Sequence, residues 1–118
     1  MLRLGPCFVS CALAAVAGAV AVTNDACSST PFDPPQYVRN GHDYKSYNSS
    51  SLTAQDCLDL CCKDSECQAL SYNNPQPGGH DYLTCTGGGV CCLLKNEVAP
   101  LTNNTYGPNV RTAAPQKP

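Results

Sequence analysis

Ten cysteines and two histidines hold most of the reactive side-chain chemistry in this 118-residue chain. Seven of the cysteines crowd into one stretch: Cys57, Cys61, Cys62, Cys67, Cys85, Cys91 and Cys92. Cys27 stands upstream, and Cys7 and Cys11 lie near the amino terminus. Thiols at this density bind a soft metal, act as nucleophiles, or oxidise to disulfides. Zinc is disfavoured because His42, His80 and the cysteines lack the paired C-x2-C spacing of a knuckle. A Cys–His nucleophile needs a free thiolate, and an even cysteine count in an exported chain leaves none over. Asp56, Asp59 and Asp64 share one helix or its end, so they read as its solvated face rather than as a paired acid and base. The expectation is therefore no catalytic residue, no metal and no cofactor, with the thiols spent on bridges.

The compartment follows from the first residues. Met1-Leu2-Arg3 is a short basic segment, and the run from Phe8 to Val22 is apolar, rich in alanine and valine, and uncharged. Ala17-Gly18-Ala19 and Ala19-Val20-Ala21 offer cleavage sites of the A-x-A kind, so residues 1–21 read as a signal peptide. A membrane anchor would need ~20 apolar residues, and this run is shorter and broken by Ser10. No later segment is apolar enough to span, so the product is expected to be secreted and extracellular.

Removing the leader removes Cys7 and Cys11, and the remaining eight cysteines suggest four disulfides. Tryptophan is absent and Phe32 is the only phenylalanine beyond the leader. A domain with so thin an apolar stock needs covalent help. The formal net charge of −2 excludes the basic patch that nucleic acid requires. Asn48-Ser49-Ser50 and Asn103-Asn104-Thr105 are N-glycosylation sequons in polar, loop-like surroundings.

The elements that hold these residues can be sketched locally. Residues 22–36, with Pro31, Pro34 and Pro35, read as an extended arm pinned by Cys27. Tyr37-Val38-Arg39 is a short strand, followed by a turn at Asn40-Gly41 into His42-Asp43-Tyr44. Thr53 caps a helix over 54–63 with Asp56 as its capping-box partner and Leu52 as a hydrophobic staple. Helical spacing sets Cys57 and Cys61 on one face, with Leu58 and Cys62 beside them. Cys67 to Tyr72 reads as a strand, with Tyr72 in the core. Residues 73–89 form a long Gly/Pro loop closed by Cys85, Cys91 to Lys95 a second buried strand, and Thr105 to Arg111 a closing strand. Within the long loop, His80, Asp81 and Tyr82 set an aromatic ring beside polar donors, a candidate ligand contact that could stack on a sugar. The plainer alternative is that Tyr82 merely covers the small core.

Taken together, Cys57-x3-Cys61-x5-Cys67-x-Ala69-Leu70-x-Tyr72 and Cys92-x-Leu94-Lys95 resemble the PAN/apple domain family. Gly41-His42-Asp43-Tyr44 is similar to that family's lead into its helix, and Tyr106-Gly107 through Arg111 to its closing strand. The resemblance implies a small, disulfide-rich α+β fold: an antiparallel sheet of about five strands over residues 37–111 with one helix packed across it. Residues 112–118 are left as a disordered tail. It also implies that Cys61 pairs with Cys67 and Cys57 with Cys92. Cys62, Cys85 and Cys91 have no counterpart in the minimal framework. With Cys27 they could pair in three ways, of which Cys62 with Cys85 or Cys91 is the expectation. The family's roles imply a secreted, non-catalytic module that binds an extracellular or cell-wall glycan, or a protein. The alternative is a small disulfide-rich interaction or inhibitor protein docking an extracellular partner.

Overall fold

The computed structural model describes residues 24–75 and 89–117. Residues 1–21, expected as a signal peptide, and the segment carrying His80, Asp81, Tyr82 and Cys85 lie outside the described residues.

The helix expected from local chemistry forms where its caps dictate. It spans Ala54–Lys63 and is called α2 here, after a one-turn α1 at Asn24–Ser28. Thr53 is extended at φ −100° and ψ 165°, and its hydroxyl accepts the Asp56 amide at 3.0 Å. The Asp56 carboxylate in turn accepts the Thr53 amide at 2.9 Å, which satisfies two otherwise orphaned donors. The inner face buries Cys57, Leu58, Cys61 and Cys62.

Six short strands follow in order: β1 (Tyr37–Arg39), β2 (Asp43–Asn48), β3 (Ala69–Asn73), β4 (Cys91–Lys95), β5 (Leu101–Asn103) and β6 (Val110–Ala113). All pairings are antiparallel. They build a four-stranded sheet in the order β2-β4-β3-β6 and a separate β1-β5 ribbon, in place of one sheet of about five strands. The division begins at the turn after β1, where Gly41 (φ 83°) and His42 (φ 64°) are both left-handed. This reversal carries the chain away from β1, whose three-residue edge is then taken by Leu101–Asn103. Those residues, of which Asn103 was expected in loop-like surroundings, become a strand through that pairing.

Helix α2 lies against β3 and β4, while β1 lies against β3 and β6. The central strand β3 is consequently buried at every position. Leu70 and Tyr72, two residues apart, face the helix with Cys92 and Leu94 of β4, and the Tyr72 hydroxyl donates to the Leu52 carbonyl at 2.7 Å. On a core this small the bridges supply much of the interior.

Cys61 is joined to Cys67 and Cys57 to Cys92, the two pairs the resemblance implies. Cys62 departs from expectation: it pairs with Cys27, not with Cys85 or Cys91. The reason is α1, which folds where an extended arm was expected and seats Cys27 against α2. Cys91 is disulfide-bonded as well.

The carboxy-terminal residues also depart from expectation. Thr112 and Ala113 belong to β6 and are buried rather than disordered. Asp33 fastens this end to the arm: its amide donates to the Thr112 carbonyl, and its carboxylate accepts from the Thr112 hydroxyl and the Arg39 guanidinium. Further on, the Lys117 ammonium donates to the carbonyls of Cys61 and Asp64, at the open end of α2. A cation there satisfies terminal carbonyls and opposes the helix dipole.

Candidate ligand groove

Among the described residues, an open surface lies where the end of α2 meets the edge strand β2. An open groove of about 400 Å³ is lined by Lys45 and Tyr47 from β2 and by Leu60, Lys63, Asp64 and Ser65 from the helix end. Strand alternation puts Lys45 and Tyr47 on the same face of β2. The helix cap at Asp64 turns the chain, so its carboxylate faces that strand.

The groove's polar groups are already organised. The Lys45 ammonium lies 3.6 Å from the Asp64 carboxylate and 5.6 Å from the centre of the Tyr47 ring. The Tyr47 hydroxyl, and after it Asp64, hold the Lys45 pKa above its ordinary value. Asp64 is held below the usual carboxylate value, first by the Glu66 amide, which donates to it at 3.0 Å, and then by Tyr44 and Lys45. Burial, and then the Asp64 carboxylate, push the Tyr44 phenol upward. At neutral pH the groove therefore presents two ammonium groups, one carboxylate, a serine hydroxyl and one aromatic wall. Such a set suits a polar ligand with hydroxyls and an apolar face. A smaller hollow of about 260 Å³ on β2 and β4 is lined by Asp43, Tyr44, Lys45, Ser46 and Leu93.

The candidate contacts read from the sequence, His80, Asp81 and Tyr82, lie outside the described residues and are not part of this groove. Asn48 and Asn103 are exposed at the ends of β2 and β5, on strands rather than in loops. His42 forms a surface pair with Glu97 at 3.3 Å, apart from the cysteines. No group of three or more metal-ligating side chains occurs among the described residues. Lys45, Tyr47, Leu60 and Ser65 were not singled out by sequence. The available signal was Lys45-x-Tyr47, an alternation placing a cation beside an aromatic, but its partners come from the helix end.

Lys95 of the C-x-L-K stretch has a structural task. Its ammonium is almost wholly buried, at 3% exposure, and donates to the Gly41 carbonyl at 2.9 Å and to Asp43 at 2.6 Å. That lysine pins the left-handed turn leading into β2, and so positions the groove's strand.

Neither a curated protein nor a solved structure matches the chain. A family model does: that of the PAN domain, over residues 38–95, the span from β1 to the end of β4. With its capped helix, its antiparallel strands and the Cys57–Cys92 and Cys61–Cys67 bridges, the span 38–95 carries a PAN domain, a family of protein- and carbohydrate-binding modules.

Proposed function

We propose that this protein is a secreted, non-catalytic module that recognises extracellular or cell-wall carbohydrate. The observation that carries the reading is the groove between β2 and α2, where the Tyr47 ring stands among Lys45, Lys63, Asp64 and Ser65. Sugars offer hydroxyls to charged and polar groups and an apolar C–H face to an aromatic ring, and this groove supplies both. Its openness suits a polymer or a glycan chain entering from the side. His80, Asp81 and Tyr82 remain candidate contacts of the same ligand.

The test is a screen of the oxidised protein on a glycan array and on insoluble cellulose, chitin and glucan, with a reduced and alkylated sample as control. The expected result is saturable binding that is abolished by reduction and weakened roughly tenfold by Tyr47→Ala, the loss of one aromatic contact of ~1.4 kcal/mol. Tyr82→Ala tests the loop contact in the same assay. Absence of binding to every glycan would overturn the reading and turn the search to a protein partner.

A further inference from the structure

The large apolar side chains exposed among the described residues are Tyr37, Leu101 and Val98, at 38%, 41% and 54% exposure. Tyr37 and Leu101 belong to the β1-β5 ribbon, and Val98 shortly precedes it. Register sets Tyr37 directly opposite Asn103 and Arg39 opposite Leu101, with the Val38 and Thr102 pair between them. Directly opposed residues point to the same side of a ladder, their Cβ atoms ~5 Å apart. Val38 is buried, so the Tyr37 and Asn103 pair takes the outward side.

Asn103 opens the sequon Asn103-Asn104-Thr105. It is exposed, at the last position of β5. The next residue is firmly held. The Asn104 amide donates to the carbonyls of Pro35 and Gly107, and its oxygen accepts from the amides of Tyr106 and Gly107. The acceptor asparagine thus ends a fixed strand directly beside an aromatic ring. Among the described residues β5 pairs only with β1, which leaves its outer edge without a strand partner among them.

We propose that Asn103 carries an N-glycan whose first N-acetylglucosamine rests on the Tyr37 ring, so that the chain's own modification covers the apolar ribbon. In the transfer, the Asn103 amide nitrogen attacks the anomeric carbon of a lipid-diphosphate-linked oligosaccharide and loses one proton. The new C–N bond replaces the C–O bond to the diphosphate, which leaves with the lipid. The sugar's C–H face then meets the electron-rich ring face. Bulk at the last residue of β5 also blocks strand addition at that edge. Asn48 is the internal comparison, because its cross-strand partner is Cys91 rather than an aromatic.

The experiment expresses the full chain in a eukaryotic secretory host, trims glycans enzymatically to one N-acetylglucosamine, and reads site occupancy by mass spectrometry. Melting temperatures are then compared for Asn103 and Asn103→Gln, each with Tyr37 and with Tyr37→Ala. The expected result is an occupied Asn103 whose loss lowers Tm by roughly 2–6 °C with Tyr37 and by less than about 1 °C with Tyr37→Ala. An unmodified Asn103, or equal losses on both backgrounds, would overturn the proposal. Asn48→Gln should give a change indifferent to residue 37. These readouts are independent of any glycan-array result.

Discussion

Thr53 and Asp56 show how much a single pair of residues settles. Their reciprocal hydrogen bonds start α2, the element from which all three described bridges depart or on which they close. Thr53→Ala is expected to cost about 1 kcal/mol, read as a lower denaturant midpoint with an unchanged slope. The pair also has a pH signature. The Thr53 backbone amide, and then its hydroxyl, hold the Asp56 carboxyl below 3.8. A depressed carboxyl stabilises the fold above its unfolded value, and that contribution is lost as pH falls through the folded one. Thermal melts should therefore show stability declining below about pH 4, with a shallower decline in Thr53→Ala. Lys95 and Asp43 are unequal in a different way. Asp43→Asn leaves a buried ammonium with neutral acceptors and no counter-charge and should cost about 3 kcal/mol. Lys95→Met frees a half-exposed carboxylate to water and should cost less. Equal losses in denaturant titrations would show that Lys95 is not held as a buried charge.

At the scale of elements, the Cys27–Cys62 bridge and α1 depend on each other. One helical turn is too short to persist alone, so α1 is held by the bridge, by its packing on α2, and by Gln55, whose side chain donates to the Ser28 carbonyl. Removing the bridge by Cys27→Ala with Cys62→Ala releases a loop closed across 35 residues and should cost about 3 kcal/mol. The loss should concentrate in residues 24–33 when followed by amide exchange, because the Cys57–Cys92 and Cys61–Cys67 bridges still hold α2 in place. A uniform loss of protection would instead mean that the arm is integral to the whole core. Legibility from sequence divides at this same scale. The bounds of α2 were readable because cap, staple and face are encoded within a dozen residues. Strand β5 and helix α1 were not, since Leu101–Asn103 is a strand only because β1 lies beside it. The groove was not read from sequence: Lys45-x-Tyr47 is a local pattern, but Leu60, Asp64 and Ser65 reach it only through folding.

For the whole molecule, covalent closure substitutes for the apolar core that the composition cannot supply. Full reduction should unfold the domain cooperatively in the absence of denaturant, with loss of near-ultraviolet circular dichroism. Persistence of that signal after reduction and alkylation would show that packing alone suffices. Because six cysteines close three bridges and Cys91 is bonded too, peptide mapping of the unreduced protein should recover Cys91 joined to Cys85. A free Cys85 thiol in that map would overturn this fourth pairing.

The sequence by itself determined the capped helix, the buried strand from Cys91 to Lys95, the family framework of Cys57, Cys61, Cys67 and Cys92, and the need for disulfides. The helix and the strand rest on local spacing and the need for disulfides on composition, which act within a few residues or over the whole chain regardless of path, whereas the cysteine framework is what the family resemblance implies. Only the tertiary structure decided that Cys62 meets Cys27, that the strands divide into two sheets, and that Thr112, Ala113 and Lys117 return to the body of the domain. Those outcomes rest on contacts between residues as far apart as Asp33 and Thr112, or Cys61 and Lys117. Such pairs share no local pattern, and what joins them is the geometry left once the helix and the central strands have packed.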